Sequence, residues 1–342
     1  MILKRITRFI ALLACSIIWL PPAFSENAPK PQPVRALHFV LSGATTVDAK
    51  RITDLARSSG FNTLVISLGN AVKFNSFPGK LRPGAWGIDE LLTLVNYAKQ
   101  LDLNVIPEII LLTHQDMFFG NSHPELMFNN KTYDPRKPEV YSLITTYIDE
   151  IISTLHPSAI NIGHDELKGF MGQDAHTPNI AIDLLPDEQI LPAELFLQDV
   201  LFIHDYLSKR GIETRMWGDM LISPKEFPDM LHWQLHGRPL GYGKALRDKL
   251  PRDIVICDWH YNDDQADFPS LATMQNEGFR VLGSTWKKSA TIRAFSHYAA
   301  KHNAYGMIAT TWIQIPSKEW DVTERIIRES GTAFRKDFPD IQ

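Results

Sequence analysis

Eight short apolar runs recur along this chain, and helix-length stretches separate most of them. The runs are Ala36–Leu41, Thr63–Ser67, Asn104–Ile109, Ala159–Ile162, Glu213–Trp217, Ile254–Asp258, Arg280–Ser284 and Gly306–Thr310. Rich in Val, Ile and Leu with little polar alternation, they read as strands buried on both faces, as in a parallel sheet. The stretches between them carry apolar residues at helical spacing. Asp48–Ser59 has Ile52, Leu55 and Ala56, and Ile88–Gln100 has Leu91, Leu92 and Val95. Pro138–Leu155 has a wider stripe of Leu143, Ile144, Tyr147, Ile151 and Ile152. Ala193–Lys209, Leu271–Asn276, Thr291–Lys301 and Val322–Arg335 complete the set. Gly60, Gly211 and Gly278 each follow a helix and precede a strand, as helix-stop glycines do. Eight strands, with a helical stretch after all but the fifth, predict an α/β fold, a TIM (β/α)8 barrel spanning residues 34–342 as a single domain. The competing fold is an open doubly wound sheet. It lacks its nucleotide fingerprint here, because Leu41-Ser42-Gly43-Ala44 after the first strand holds a single glycine.

The first 25 residues have a different character. Lys4, Arg5 and Arg8 precede an apolar stretch from Phe9 to Leu20, and Ala23-Phe24-Ser25 supplies small residues for cleavage. This predicts a secretory signal peptide over 1–25 and an exported chain, periplasmic or secreted. The apolar run is shorter than the ~20 residues of a membrane span, so no stable membrane insertion is expected after cleavage. Leu12-Leu13-Ala14-Cys15 resembles a lipoprotein cleavage site, but the run continues past it through Ile17, Ile18, Trp19 and Leu20. Residues 26–33 form a Pro-rich leader. Loss of 1–25 removes three positive charges and no negative one, taking the formal net charge from −4 to −7. This mildly acidic chain has no basic run, so no nucleic-acid partner is expected. Cys257 would be the one remaining cysteine; it follows Ile254-Val255-Ile256 and is expected in the core.

In such a barrel, active-site residues lie at the C-terminal ends of the strands. The third strand leads to Pro107-Glu108 and then His114, and the fourth to Gly163-His164-Asp165-Glu166. The fifth ends in Trp217-Gly218-Asp219, and the sixth in Asp258-Trp259-His260-Tyr261. Trp286 follows the seventh, and Trp312 and Gln314 follow the eighth. Two longer insertions, Thr113–Asp134 and Gly169–Pro192, fall at the same end. Four tryptophans at strand ends suit an aromatic wall for a sugar, whose C–H faces stack on indole while its hydroxyls need polar partners. Adjacent acids repel each other, so one can hold a proton near neutral pH.

These motifs resemble glycoside hydrolase family 20, the β-N-acetylhexosaminidases, and within it the small single-barrel, hexosaminidase D-like branch. The family's acid motif runs roughly H-x-G-G-D-E, similar to Ile162-Gly163-His164-Asp165-Glu166 with His in place of the second Gly. Its third strand runs like I-P-E-I-D-x-P-G-H, similar to Ile106 through His114. Trp217-Gly218-Asp219-Met220 and Cys257-Asp258-Trp259-His260-Tyr261 look like the small branch. The resemblance covers residues from about Val34 to Trp312. It implies exo-acting, retaining, substrate-assisted hydrolysis of terminal β-linked N-acetylhexosamine, an exception to the two-carboxylate scheme. Glu166 would be the general acid and base, and Asp165 would hold the acetamido N–H. Tyr261 would donate to the acetamido oxygen. Trp217, Trp259, Trp286 and Trp312 would enclose the sugar, Asp219 would join the pocket and His114 would pair with the acids. His164 and Gln314 touch the site by position, His164 where the family has glycine and Gln314 where it has Glu.

Two family features are replaced. The Asp and Arg of the first strand's L-D-x-x-R pattern are Val40 and Gly43 here, and W-x-E after the eighth strand is Trp312-Ile313-Gln314. The expected partner is an oligosaccharide or glycoconjugate, without cofactor. A barrel hydrolase of another glycoside specificity, or a non-catalytic carbohydrate-binding protein, fits the same residues. A metal site is not expected, because His114, His164, His260 and Asp258 show no ligand spacing such as H-E-x-x-H. Gluco or galacto preference and oligomeric state are left open.

Overall fold

The computed structural model describes residues 32–167, 188–263, 265–312 and 320–341. The expected signal peptide, nearly all of the leader, most of the Gly169–Pro192 insertion and Gln314 lie outside the described residues. Eight parallel strands close into a barrel in chain order. They are β1 Val34–Val40, β2 Thr63–Ser67, β3 Asn104–Leu111, β4 Ala159–Gly163, β5 Glu213–Trp217, β6 Val255–Trp259, β7 Arg280–Thr285 and β8 Gly306–Thr311. Closure shows in the register of β1, whose His38 pairs with Val65 on one side and Thr310 on the other. The register shifts between β3 and β4, from Glu108 to Leu111. Such a bulge re-aims the chain at a strand end, here just before the loop that carries His114.

The expected helices form at Thr46–Ser59, Ile88–Gln100, Pro138–Leu155, Ala193–Ser208, Pro269–Asn276, Ser289–Lys301 and Trp320–Asp337. Local chemistry sets their ends. Thr45 and Asp48 form a reciprocal capping box at the first, and Gly60 ends it in the left-handed region. Pro138 opens the third, at a position where a missing N–H costs nothing. Between β5 and β6 no long helix forms. Short turns and the single-turn helix Lys244–Arg247 fill that span, so strand–helix alternation is at its weakest there.

Alternation along each strand divides the core in two. Ala36, Val65, Ile106, Ala159, Val255, Cys257, Leu282 and Ile308 pack together inside the barrel. Leu37, Phe39, Ile66, Ile160, Ile162, Ile256 and Val281 pack outward with helix residues such as Leu91, Ile144 and Ile203. With both faces buried, the strands read as unbroken apolar runs. Each such side chain contributes about 1.5–3 kcal/mol by leaving water. Cys257 is buried in the inner core, where burial pushes its thiol up to about 12. Among the described residues, no helix is long and apolar enough to cross a membrane.

The inward positions change chemistry toward the C-terminal end. Two residues beyond Ala36, Val65, Ile106 and Ala159 stand His38, Ser67, Glu108 and Asn161, all buried. The apolar interior thus gives way to a polar floor at the end where the loops converge.

Candidate active site

The acid pair sits on a strained turn. Gly163 leaves β4 at φ +77°, and a Cβ there would lie 3.2 Å from the Ile110 backbone. His164 and Glu166 also adopt positive φ, 67° and 46°. Left-handed backbone costs a non-glycine residue about 1–2 kcal/mol, so the surroundings must hold it. Behind the turn, His164 is fully buried and its Nε2 lies 2.8 Å from Asp199 Oδ2, on the helix Ala193–Ser208. Tyr133 donates its hydroxyl to the same oxygen at 2.8 Å. Further along the turn, the Glu166 backbone N–H donates to Asp219 Oδ2 at 2.8 Å. Pinned at both ends, the turn presents Asp165 and Glu166 side by side, with side chains 17% and 34% exposed.

His114 closes the group from the loop after β3. Its Nε2 lies 3.7 Å from both Asp165 Oδ2 and Glu166 Oε2. Burial disfavours its charged form, but the bond and charge of Asp165 and the charge of Glu166 outweigh burial and the repulsion of Lys131, and hold it at about 9. Glu166 moves up from its ordinary value. Burial is the main cause and the Asp165 charge the next, with Asp219 adding and His236 and His114 opposing. An acid whose hold on its proton is strengthened by burial and a second carboxylate is the arrangement general acid catalysis requires. The ligand atoms of His114, Asp165 and Glu166 lie within 4.8 Å of one another, so among the described residues these three have the donor types for a metal ion. The two acids that would share such an ion also hold the imidazole at about 9.

The aromatic residues form one connected wall. The Trp217 and Trp312 rings are 5.6 Å apart, and Trp312 Nε1 donates to the Tyr261 hydroxyl at 3.0 Å. Tyr261 stacks on Trp259 at 4.8 Å and meets Trp286 edge-on at 5.8 Å. Trp217 is buried and Trp312 half-buried, so one forms the base of the wall and the other its face. Trp217 Nε1 donates to Glu108 Oε1 at 3.1 Å, and His38 Nε2 lies 2.9 Å from Glu108 Oε2. Burial alone would raise Glu108; the His38 charge and bonds from His38, Ser67 and Trp217 bring it below its ordinary value. The Tyr261 phenol is pushed well up, mainly by burial, and stays a proton donor. Behind it, His260 Nδ1 lies 2.6 Å from Asp263 Oδ2, and its Nε2 lies 3.3 Å from Asp258 Oδ2. Burial works against the His260 cation, yet these two aspartates hold it at about 9.

The profile of glycosyl hydrolase family 20, catalytic domain, matches residues 72–327. The chain belongs to this family. Its barrel is a glycoside hydrolase domain, and solved family 20 structures share the fold. A chitobiase from Flavobacterium johnsoniae superposes with a TM-score of 0.62 at 16% identity, covering 88% of this chain and 48% of that one. A β-N-acetylhexosaminidase from Bacteroides fragilis gives 0.62 at 16%, covering 89% and 66%. The β-N-acetylhexosaminidase from Streptomyces coelicolor gives 0.63 at 14%, covering 88% and 64%. This chain thus spans about half the length of the Flavobacterium protein. A search of curated protein sequences returned no match.

Within this family 20 barrel, the geometry sorts the expected residues. Asp165, Glu166 and His114 come together, as do Trp217, Trp259, Tyr261, Trp286 and Trp312. His164 is corrected: its buried ring turns toward Asp199 and away from the pocket, so it supports the acid turn rather than touching a sugar. Asp219 is corrected likewise. It is 1% exposed and accepts from Glu166 N, His236 Nδ1 and Trp259 Nε1, which makes it a hub behind the acid rather than a sugar contact. Sequence reasoning missed His236, which lies in the helix-poor span after β5 without strand or motif to mark it. It also missed His38. A histidine two residues beyond Ala36 in an apolar strand was the signal, since that spacing points it inward.

Proposed function

We propose that the protein removes terminal β-linked N-acetylhexosamine from oligosaccharides or glycoconjugates, with retention, by substrate-assisted catalysis. The observation that carries this reading is Glu166, raised and flanked by Asp165, at the rim that also bears the wall of Trp217, Trp259, Tyr261, Trp286 and Trp312. Glu166 gives its proton to the glycosidic oxygen as the bond to C1 breaks. The carbonyl oxygen of the substrate's own 2-acetamido group forms a bond to C1, giving an oxazolinium ion. Asp165 accepts the acetamido N–H and stabilises the positive charge, and Tyr261 donates to the acetamido oxygen. Glu166, now a carboxylate, takes a proton from water as the water oxygen attacks C1 and reopens the ring. Holding the acetamido group in line makes the attack intramolecular, with an effective molarity of about 10⁵ M or more. The signal-like segment 1–25 supports export to the periplasm or medium as part of this proposal.

The test is release of 4-nitrophenol from 4-nitrophenyl N-acetyl-β-D-glucosaminide and its galacto epimer, with and without an acetamido-derived thiazoline. Turnover blocked by the thiazoline supports the scheme, and the ratio of the two rates gives the sugar preference. Turnover of other glycosides with no thiazoline effect would assign the barrel to another specificity, the direction in which Val40 and Gly43 at the places of the family's Asp and Arg point. Sugar binding by folded protein without any turnover would make it a lectin-like member.

A further inference from the structure

Glu166 has a histidine on each side. His114 faces it across the pocket, and His236 stands behind it in the loop after β5. Asp219 joins His236 to the acid. One carboxylate oxygen, Oδ2, lies 2.8 Å from His236 Nδ1 and also accepts the Glu166 backbone N–H at 2.8 Å. The other, Oδ1, accepts from Trp259 Nε1 at 3.3 Å. The His236 backbone N–H returns to the Asp219 carbonyl at 3.1 Å, so side chain and main chain both tie the two residues. Gly218, next to Asp219, cannot be replaced without a clash, because a Cβ there would lie 2.8 Å from Ile256. His236 is 6% exposed, with its ring edge-on to Trp259 at 6.0 Å. The helix-poor loop is therefore fastened at the point where it meets the acid.

We propose that His236, acting through Asp219, is a positioning residue for Glu166: a cation fixed behind the acid that helps decide the pH range over which the acid works. This rests on the hydrolase reading given above. Besides Asp165, the charged groups facing Glu166 are His114 from the β3 loop, and Asp219 and His236 from the β5 loop. Burial disfavours the His236 cation, but the bond and charge of Asp219 and the charge of Glu166 raise it above its ordinary value against the repulsion of Arg238. The Asp219 carboxylate at 2.8 Å thus favours the charged form of His236 behind the acid. A nearby cation favours the carboxylate, so it offsets part of the upward push of burial and Asp165. Without it, Glu166 would keep its proton to higher pH.

The experiment compares kcat/KM against pH for wild type, His236→Asn, His236→Lys and Asp219→Asn on the 4-nitrophenyl substrate. Asparagine can keep a donor toward Asp219 but loses the charge, and lysine keeps the charge. The alkaline limb in His236→Asn is expected to move up by about one pH unit, the scale of one nearby unit charge in a partly buried site. In His236→Lys it is expected near the wild-type position. Asp219→Asn is expected to shift less than His236→Asn, because it removes a negative charge and weakens the hold on a positive one. An unmoved limb in His236→Asn, with activity falling only alongside thermal stability, would overturn the proposal. The same titration is read without turnover from the Glu166 carboxyl ¹³C resonance, assigned with Glu166→Gln. A wild type inactive on every glycoside would therefore sink the hydrolase reading while this measurement still decides the role of His236. If His236→Asn does not fold, His236→Gln takes its place, and an unmoved Glu166 resonance in that folded variant overturns the proposal.

Discussion

The deep interior of the barrel and its C-terminal rim are built on opposite rules, although the same strands form both. Inside, Ala36, Val65, Ile106, Ala159, Val255, Leu282 and Ile308 are apolar and buried. At the rim, His38, Glu108, Asp219 and the Asp165–Glu166 pair are brought together, and His114, His164 and Glu166 hold left-handed backbone. Adjacent like charges and strained dihedrals are unfavourable by themselves, and they persist because the packed interior supports them. The comparison teaches that substitutions in the two regions should separate activity from stability.

The largest effect is expected from Glu166→Gln. It should lower kcat/KM about 10³-fold, within the range for loss of a general acid, while the thermal midpoint stays level or rises as repulsion with Asp165 is relieved. A midpoint several degrees lower, seen by calorimetry, would break the comparison. Leu282→Ala or Ile308→Ala should do the reverse. Each should destabilise the fold by about 2–5 kcal/mol in urea titration, with kcat of the folded fraction unchanged.

A pH effect sharpens the contrast further. His114 is held at about 9 against an ordinary value of 6.5. A group raised on folding adds stability that is fully present below about 6.5 and is lost as pH rises through about 9. His260, also at about 9, has the same sign deeper in the fold. Glu166, raised from 4.5, likewise makes the fold less stable as pH rises through its folded value. His114→Gln should therefore flatten the fall of stability between pH 6.5 and 9, by an amount on the order of 1–2 kcal/mol. An unchanged slope would place His114 outside the acid group. The smallest effect is expected for Tyr261→Phe, about 10-fold in kcat/KM from loss of one hydrogen bond, with Trp312 Nε1 losing its acceptor. Fluorescence-monitored unfolding should show little change.

Much of this is legible in the sequence. All eight strands were readable because a strand buried on both faces leaves an unbroken Val, Ile and Leu run. The helices were readable because one face is apolar and glycine or proline marks several ends. The acids and tryptophans were readable because a barrel places strand ends together on one face, and the motifs fell there in order. His164 and Asp219 were misread because adjacency in sequence gives the position of a side chain and not its direction. Positive φ at Gly163 and His164 turns the His164 ring toward Asp199, a partner 35 residues away.

The sequence by itself determined the barrel, its closed core and the end at which the chemistry sits, since these follow from hydrophobic periodicity and chain-local caps. Only the tertiary structure decided which polar groups share a proton or a charge. His38 meets Glu108 across 70 residues, Trp217 meets Glu108 across 109, and the Glu166 amide meets Asp219 across 53. Such contacts depend on strand register and loop path, which local pattern does not encode. The electrostatics that raise Glu166 thus arise only when the loops after β3, β4 and β5 are brought together over one floor.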